Sequence, residues 1–226
     1  MKDNLRYYFG SVEQLAGSPD CSSGLNSVGV RIPPLPLKKE IMLIENIYKF
    51  NSYNVMNKTE FDINIVGSEG YGETGYNSIN EIVNKYKTHF NNDTVFYDLG
   101  SGIGKIVIHI GVEYTPKKSC GIEYSRERYE TSLKLMETHN IKNDNILFIN
   151  DNILNCDISD ATVIYMDNTL FPNNIDAEIY NMIPTDCLVI SRKSFRESWV
   201  KKELFKDGFT SSTNYGTNTI NVFLKK

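Results

Sequence analysis

Three glycines at alternate positions follow a short β-rich run in the stretch VFYDLGSGIGKIVIHIG, residues 95–111. A glycine turn between a predicted strand and a predicted helix lets the backbone approach a ligand closely, because glycine lacks a Cβ atom. Turns of this kind hold nucleoside triphosphates, dinucleotides or S-adenosylmethionine. The residue types around the glycines therefore have to discriminate between these three ligands.

The residues of the turn argue against the first two ligands. A P-loop requires GxxxxGK followed by Ser or Thr, but Leu99 stands at its first glycine and Ile106 at its hydroxyl position. A dinucleotide turn has the pattern GxGxxG, and Lys105 occupies the position of its third glycine. Asp98 would repel a phosphate, whereas a carboxylate suits the ammonium and sulfonium groups of S-adenosylmethionine. The pattern therefore favours S-adenosylmethionine.

Two more acidic residues follow predicted strands. Glu123 lies 25 residues after Asp98, at the end of the second strand, where a carboxylate can accept both ribose hydroxyls of a nucleoside. Asp151 follows the third strand and is placed to hydrogen-bond an adenine amine. The alternative is that Glu123 and Asp151 merely cap helices or turns.

Strands and helices alternate regularly from residue 93 onward. The predicted strands cover 95–99, 119–123, 146–149, 162–166 and 187–191, and the predicted helices cover 103–114, 125–140, 174–182 and 199–205. A terminal antiparallel pair is predicted at 209–212 and 219–224. This alternation gives right-handed βαβ units, so we predict an α/β, Rossmann-like fold with a mostly parallel, seven-stranded sheet and an antiparallel C-terminal edge pair. Ligands of such sheets bind at the carboxyl ends of the strands.

The chain upstream of this pattern is organised differently. Residues 1–37 look irregular and lead into the proline-rich run RIPPLPLKK at 31–39. Apolar residues at helical spacing predict a helix at 40–50 and another at 76–90. We therefore predict an N-terminal extension over 1–68 and a ligand-binding domain over 69–226.

Composition limits the classes of partner. The net charge of the 226-residue chain is −4, so the protein as a whole has no basic field for nucleic acid. The four cysteines form no CxxC pair, so no metal site is expected. No run reaches the roughly 18 apolar residues of a membrane helix, and no signal peptide is evident. We expect a soluble, intracellular protein without a membrane partner.

Four segments resemble the Dot1 family, the non-SET histone lysine methyltransferases, within the class I S-adenosylmethionine-dependent methyltransferases. They are GYGETGYNSI at 70–79, DLGSGIGK at 98–105, ATVIYMDNTLF at 161–171 and VISRKSF at 189–195. The YGET segment is the most specific, because generic methyltransferases lack it. The resemblance implies that residues 69–226 are a methyltransferase domain that converts S-adenosylmethionine to S-adenosylhomocysteine.

The resemblance also implies roles for single residues. Tyr71, Glu73 and Thr74 would close on the methionine moiety, Glu123 would bind the ribose and Asp151 the adenine. The cofactor set is completed by Asp98, Gly100, Ser101, Gly102, Gly104, Tyr124 and Asn152. The implied catalytic set is Asp167, Asn168, Phe171 and Tyr215. Asp167 would orient the acceptor amine or take its proton through water, and the aromatic residues, with Tyr165 and Phe195, would wall the channel.

Several positions depart from the family pattern. Lys105 replaces a Gln and has no evident role, Asn152 stands where the family stacks an aromatic ring on adenine, and Asp167 replaces the first Asn of the family's loop. A histone in a nucleosome is the implied substrate, with DNA contacted only through the nucleosome and the nucleus, of the cell or of a host, as location. The alternatives are an RNA or small-molecule methyltransferase, or a cofactor-binding module without chemistry. A basic face for the nucleosome is expected from Arg126, Arg128, Arg192, Arg196, Lys201 and Lys202.

Overall fold

A seven-stranded sheet forms the centre of the protein, as seen in a computed structural model that describes residues 38–50, 72–195, 206–213 and 216–226. The strand order is β3-β2-β1-β4-β5-β7-β6. The strands are β1 (Val95–Leu99), β2 (Lys118–Glu123), β3 (Ile146–Asn150), β4 (Val163–Met166), β5 (Leu188–Ser191), β6 (Lys206–Thr213) and β7 (Gly216–Leu224). Strands β1 to β5 pair in parallel, and β7 runs antiparallel to both β5 and β6. The predicted mixed sheet with its antiparallel C-terminal pair is confirmed.

Five α-helices accompany the sheet within the described part of the chain. They are α1 (Lys38–Tyr48), α2 (Tyr76–Lys85), α3 (Lys105–Glu113), α4 (Arg126–Thr138) and α5 (Asn173–Met182), with short 3₁₀ turns η1 (Lys87–His89) and η2 (Ile153–Asn155). None of these described helices is long and apolar enough to cross a membrane. The predicted helix at 199–205 lies outside the described residues.

Two helices begin or end where local backbone geometry dictates. Helix α3 starts two residues later than predicted, because Gly104 has φ +78° and a left-handed backbone cannot continue an α-helix backwards. The predicted helix 76–90 ends at Lys85, and after Tyr86 the chain continues as η1. Helix α4 begins as predicted, where the Ser125 side chain accepts a hydrogen bond from the Arg128 amide.

Apolar side chains bury both faces of the sheet. All five residues of β1 are buried, as expected for a strand in the middle of a parallel sheet. Beyond the apolar clusters on the two faces of the sheet, helix α1 forms a further cluster, in which the fully buried Ile44 and Ile47 pack with Ile103, Ile108 and Leu135. Burying each of these isoleucine side chains contributes about 1.5–3 kcal/mol, so apolar packing holds α1 on the α3 side of the sheet.

Strand register brings the ends of the central strands to one edge. Asp98 pairs with Gly121 of β2 and with Tyr165 of β4. Glu123, the last residue of β2, and Asp167, the first residue after β4, therefore flank the end of β1. The chemistry predicted from the sequence converges on this edge.

Candidate functional site

The glycine turn is built from backbone that only glycine adopts without strain. Gly100, Gly102 and Gly104 have φ values of +85°, +56° and +78°. The amides of Gly100 and Ser101 both donate to the carbonyl of Ile122, at 2.9 and 3.0 Å, which anchors the turn to β2. A Cβ atom at Gly104 would lie 2.4 Å from the Phe148 ring, so this glycine also permits close packing. The turn is a rigid cradle beside the end of β1.

Asp98 is a buried carboxylate under this turn. It is 2 % exposed, and no described residue donates a hydrogen bond to it. Burial raises its pKa well above the ordinary value, and the neighbouring charges of Glu123 and Asp167 raise the pKa further. The Ser101 hydroxyl is also buried without a hydrogen-bond partner in the described structure. Buried polar groups left in this state fit a ligand that brings a cation and a hydrogen-bonding group, as the amino-acid end of S-adenosylmethionine does.

Glu123 links β2 to the glycine turn. Its Oε2 accepts from the Gly102 amide at 2.7 Å and its Oε1 from the Ser125 amide at 2.8 Å. Burial raises the pKa of Glu123, while the charge of Arg128 and the backbone hydrogen bonds lower it. The carboxylate thus fixes the conformation of the turn, and its contact with a ribose stays a prediction.

The residues after β3 form a local turn. Asp151 is exposed, and its Oδ1 accepts from the Asn152 amide at 2.6 Å and from the Asn155 side chain at 2.9 Å. Asn152 caps η2 by accepting from the Leu154 amide at 3.0 Å. Tyr124, on the neighbouring strand end, is 39 % exposed. The capping alternative therefore describes the contacts that Asp151 and Asn152 make here, and their adenine-binding roles stay predictions.

Lys105, to which the sequence assigned no role, forms a buried ion pair with Glu73. The Lys105 Nζ lies 2.9 Å from Glu73 Oε2 and also donates to the carbonyls of Tyr48 and Phe50, at 3.3 and 2.9 Å. Lys105 is only 4 % exposed. One buried cation therefore joins the segment of Glu73, the end of α1 and the start of α3. Sequence reasoning missed this role because all three acceptors are at least 32 residues away.

Thr74 is held from the other side. Its hydroxyl lies 2.6 Å from the Tyr165 hydroxyl and accepts a hydrogen bond from Arg192 Nη2 at 2.8 Å. The segment of Glu73 and Thr74 is thereby fixed over the ends of β4 and β5. Arg192 was assigned only to a surface by the sequence, and its position directly after a buried strand was the one signal of a deeper role.

Asp167 and Phe171 face the turn from the loop after β4. The side chain of Asp167 is 23 % exposed, and its Oδ2 lies 3.7 Å from Arg192 Nε. Its Oδ1 accepts from the Thr169 hydroxyl at 2.6 Å. The Phe171 ring lies against Gly100, where an added Cβ would be 3.4 Å from it. The aromatic ring thus lies against the glycine turn, and the charge of Asp167 is close enough to Asp98 to raise the pKa of Asp98.

Asn168 has a different environment from its neighbour. It is fully buried, donates to Asp176 Oδ1 at 3.1 Å and to the Lys193 carbonyl at 3.2 Å, and accepts from the Lys193 amide at 2.8 Å. These bonds tie the β4 loop to the end of β5 and to α5. Its observed contacts are those of a loop-positioning residue, and its catalytic role stays a prediction.

Other predicted residues separate from the site. Phe195 packs in the core against Tyr180 and Phe223, so it lines no channel. The predicted basic face is wrong for Arg128 and Arg192, since each is only 6 % exposed; both side chains are drawn inward by the acids at the strand ends. Five of the predicted residues lie outside the described part of the chain: Tyr71, Arg196, Lys201, Lys202 and Tyr215.

Comparisons with known proteins identify the same chemistry. The family model described as "Histone methylation protein DOT1" matches residues 62–214. A protein-lysine N-methyltransferase of Saccharolobus islandicus (strain REY15A) is 29% identical over 126 residues, which are 54% of this chain and 78% of that protein.

Solved structures share the fold. An RNA methyltransferase from Salinibacter ruber, in complex with S-adenosylhomocysteine, has a TM-score of 0.52 at 19% identity and covers 68% of this chain and 94% of its own. Magnesium protoporphyrin IX methyltransferase from Synechocystis PCC 6803, with bound S-adenosylmethionine, has a TM-score of 0.54 at 11% identity and covers 84% and 98%. At these identities the similarity is one of fold.

Proposed function

The chain belongs to the DOT1 family and is an S-adenosylmethionine-dependent methyltransferase, and from this premise we propose that it methylates a lysine side chain of a protein, with a histone as the leading substrate. The observation that carries the proposal is the position of Thr74, which lies 2.8 Å from Arg192, itself 3.7 Å from Asp167. This contact chain brings the segment specific to the family to the acidic loop at the end of β4. The relative from Saccharolobus islandicus is named a protein-lysine N-methyltransferase, which supports the same acceptor.

The chemistry asks three things of the protein. When bound, S-adenosylmethionine supplies a methyl group activated by a positively charged sulfur. The protein must align the acceptor with that group, exclude water and present the acceptor amine without its proton. Lysine has a reference pKa of about 10.4, so deprotonation is part of the task.

The described residues can meet these demands. Asp98 would pair with the ammonium of the cofactor, since its carboxylate is buried and accepts no hydrogen bond from the described residues. Phe171 and Tyr165 would contribute apolar surface around the acceptor, which would lower the pKa of a lysine by disfavouring its charged form. Asp167 is partly exposed, so it would meet an amine that arrives from solvent, orient it and accept its proton through water.

The substrate is tested by a parallel transfer assay. Labelled S-adenosylmethionine is offered with nucleosomes, free histones, a mixed protein extract and RNA, using the wild-type chain and Asp167→Ala. We expect label in lysine of a histone preparation, and a rate lower by roughly 100-fold or more with Asp167→Ala.

The other outcomes separate the alternatives. Label in RNA alone would replace the proposal by an RNA methyltransferase. Label in lysines of non-histone proteins, with none in histones, would keep the lysine and reject the histone. Cofactor binding without transfer to any acceptor would indicate a binding module.

A further inference from the structure

Arg192 is a buried cation whose backbone is fixed by hydrogen bonds. Its amide donates to the Met166 carbonyl at 3.3 Å, and its carbonyl accepts from the Asn221 side chain at 2.8 Å. These bonds join the end of β5 to β4 and to β7. The side chain is 3 % exposed, so the guanidinium lies inside the protein rather than on a basic face.

The guanidinium has donors left over. Nη2 donates to the Thr74 hydroxyl at 2.8 Å, and Nε lies 3.7 Å from Asp167 Oδ2, which is an ion-pair distance but not a hydrogen bond. Nε and Nη1 are both buried and make no hydrogen bond within the described parts of the chain. Buried charged donors without acceptors are unfavourable, so this geometry favours a ligand that supplies an acceptor.

The edge of the sheet carries buried charges of both signs. Asp98 and Asp167 form a negative region, close enough for Asp167 to raise the pKa of Asp98. Of the buried cations that contact the Glu73–Thr74 segment in the described residues, Lys105 is engaged with Glu73 and two carbonyls. Arg192, on the Thr74 side, keeps two unused donors. The methionine group of the cofactor has the matching pair of charges, an ammonium and a carboxylate.

We propose that Arg192, together with the Thr74 hydroxyl, binds the carboxylate of the cofactor's methionine group. A planar guanidinium gives a carboxylate two parallel hydrogen bonds when Nε or Nη1 donates beside the second N–H of Nη2, an arrangement that a lysine ammonium cannot match. The ammonium of the same group would then pair with Asp98. This proposal rests on the cofactor and not on the acceptor, so it stands or falls independently of the lysine assignment.

Ligands that differ only in the carboxylate give the test. Isothermal titration calorimetry measures the Kd of S-adenosylmethionine, S-adenosylhomocysteine and decarboxylated S-adenosylmethionine with the wild-type chain and Arg192→Gln. We expect Arg192→Gln to weaken the two carboxylate ligands roughly 10- to 100-fold, the range of a charged hydrogen bond. The decarboxylated ligand should bind wild type and variant equally.

Two more variants keep the result interpretable. Arg126→Gln removes the same charge from a side chain that is 84 % exposed, and it should bind all three ligands as the wild type does. Should Arg192→Gln fail to fold by circular dichroism, Arg192→Lys retains the charge without the fork and should weaken only the carboxylate ligands, by a smaller factor.

Two results would overturn the proposal. An equal loss of affinity for all three ligands would show that Arg192 only supports the fold of the site. Unchanged cofactor affinity, combined with a raised KM for the acceptor, would place Arg192 against the acceptor.

Discussion

At the scale of single residues, burial separates groups that wait for a ligand from groups that hold the fold. Asp98 and Asn168 are both at least 98 % buried, yet the Asn168 side chain makes three hydrogen bonds and the Asp98 carboxylate makes none with the described residues. A buried charge that the fold does not satisfy costs stability. Asp98 is therefore better explained by the cofactor than by the folded state.

Asp98→Asn should change stability and binding in opposite directions. The raised pKa of Asp98 means that its contribution to stability is lost as the pH rises through its folded value, so replacing the acid should stabilise the cofactor-free protein at neutral pH. We expect a higher Tm by differential scanning calorimetry, about 2–4 °C for each kcal/mol gained. Affinity for S-adenosylmethionine should fall roughly 10- to 100-fold.

The pH dependence of this binding follows from the same sign. A cationic ligand prefers the ionised carboxylate, so wild-type affinity should rise as the pH rises through the elevated pKa of Asp98. The slope should disappear in Asp98→Asn. Equal slopes in the two proteins would assign the proton to another group.

Neighbouring residues of the β4 loop should respond differently to truncation. Asn168→Ala removes the side-chain hydrogen bonds to Asp176 Oδ1 and to the Lys193 backbone, and among the described residues the Asp176 carboxylate keeps only its ion pair with Lys193 Nζ at 2.5 Å, so we expect a loss of about 2–4 kcal/mol in the free energy of unfolding. Asp167→Ala should lower turnover roughly 100-fold or more while the Kd of the cofactor changes little. Denaturant titration and single-turnover rates measure the two effects, and an unchanged rate would remove Asp167 from the mechanism.

At the scale of elements, Lys105 couples α1 to the segment over the cofactor site. Its three acceptors are a carboxylate oxygen of Glu73, the carbonyl of Tyr48 at the end of α1, and the carbonyl of Phe50 just beyond it. A cation at a helix C-terminus is favourable because it meets the negative end of the helix dipole. The helix and the segment are therefore connected through one side chain.

Lys105→Met should loosen both elements at once. Without the ammonium, Glu73 and two carbonyls lose a charged donor, at a cost of about 1–3 kcal/mol. Hydrogen exchange should become faster in α1 and at Glu73 and Thr74, with little change in β1. Lys105→Gln keeps a donor without the charge, so its exchange rates should lie between those of the wild type and Lys105→Met. Faster exchange at Glu73 alone would mean that α1 does not depend on Lys105.

At the scale of the whole molecule, a buried polar cluster fixes the N-terminal helix to the rest of the fold. His109 of α3 lies 3.2 Å from the Tyr48 hydroxyl of α1, 3.1 Å from Asn80 of α2 and 3.3 Å from Glu113. Its ring stacks on Tyr76, with centroids 4.8 Å apart. The predicted boundary at residue 68 stays a prediction, but α1 shares both this cluster and an apolar core with α3.

Acid should weaken this attachment. Burial lowers the pKa of His109, although Glu113 raises it in part. The stability that neutral His109 contributes is present above the unfolded pKa of about 6.5 and is lost as the pH falls through the lowered folded value. The drop in Tm on acidification should be smaller in His109→Gln. His89 has a pKa that burial also lowers, and it remains in both proteins, so the difference reports His109.

The sequence by itself determined the strands, the glycine turn and the cofactor. These follow from local rules. The spacing of apolar residues defines the helices and strands, and a backbone with positive φ favours glycine. An acid at the end of the first strand favours a cationic ligand. The tertiary structure alone decided which side chains are satisfied. Arg192 meets Thr74 across 118 residues, and Asn168 meets Lys193 across 25. Such contacts depend on how the strands pack, so no local pattern could predict the contact of Lys105 with α1 or the burial of Arg192.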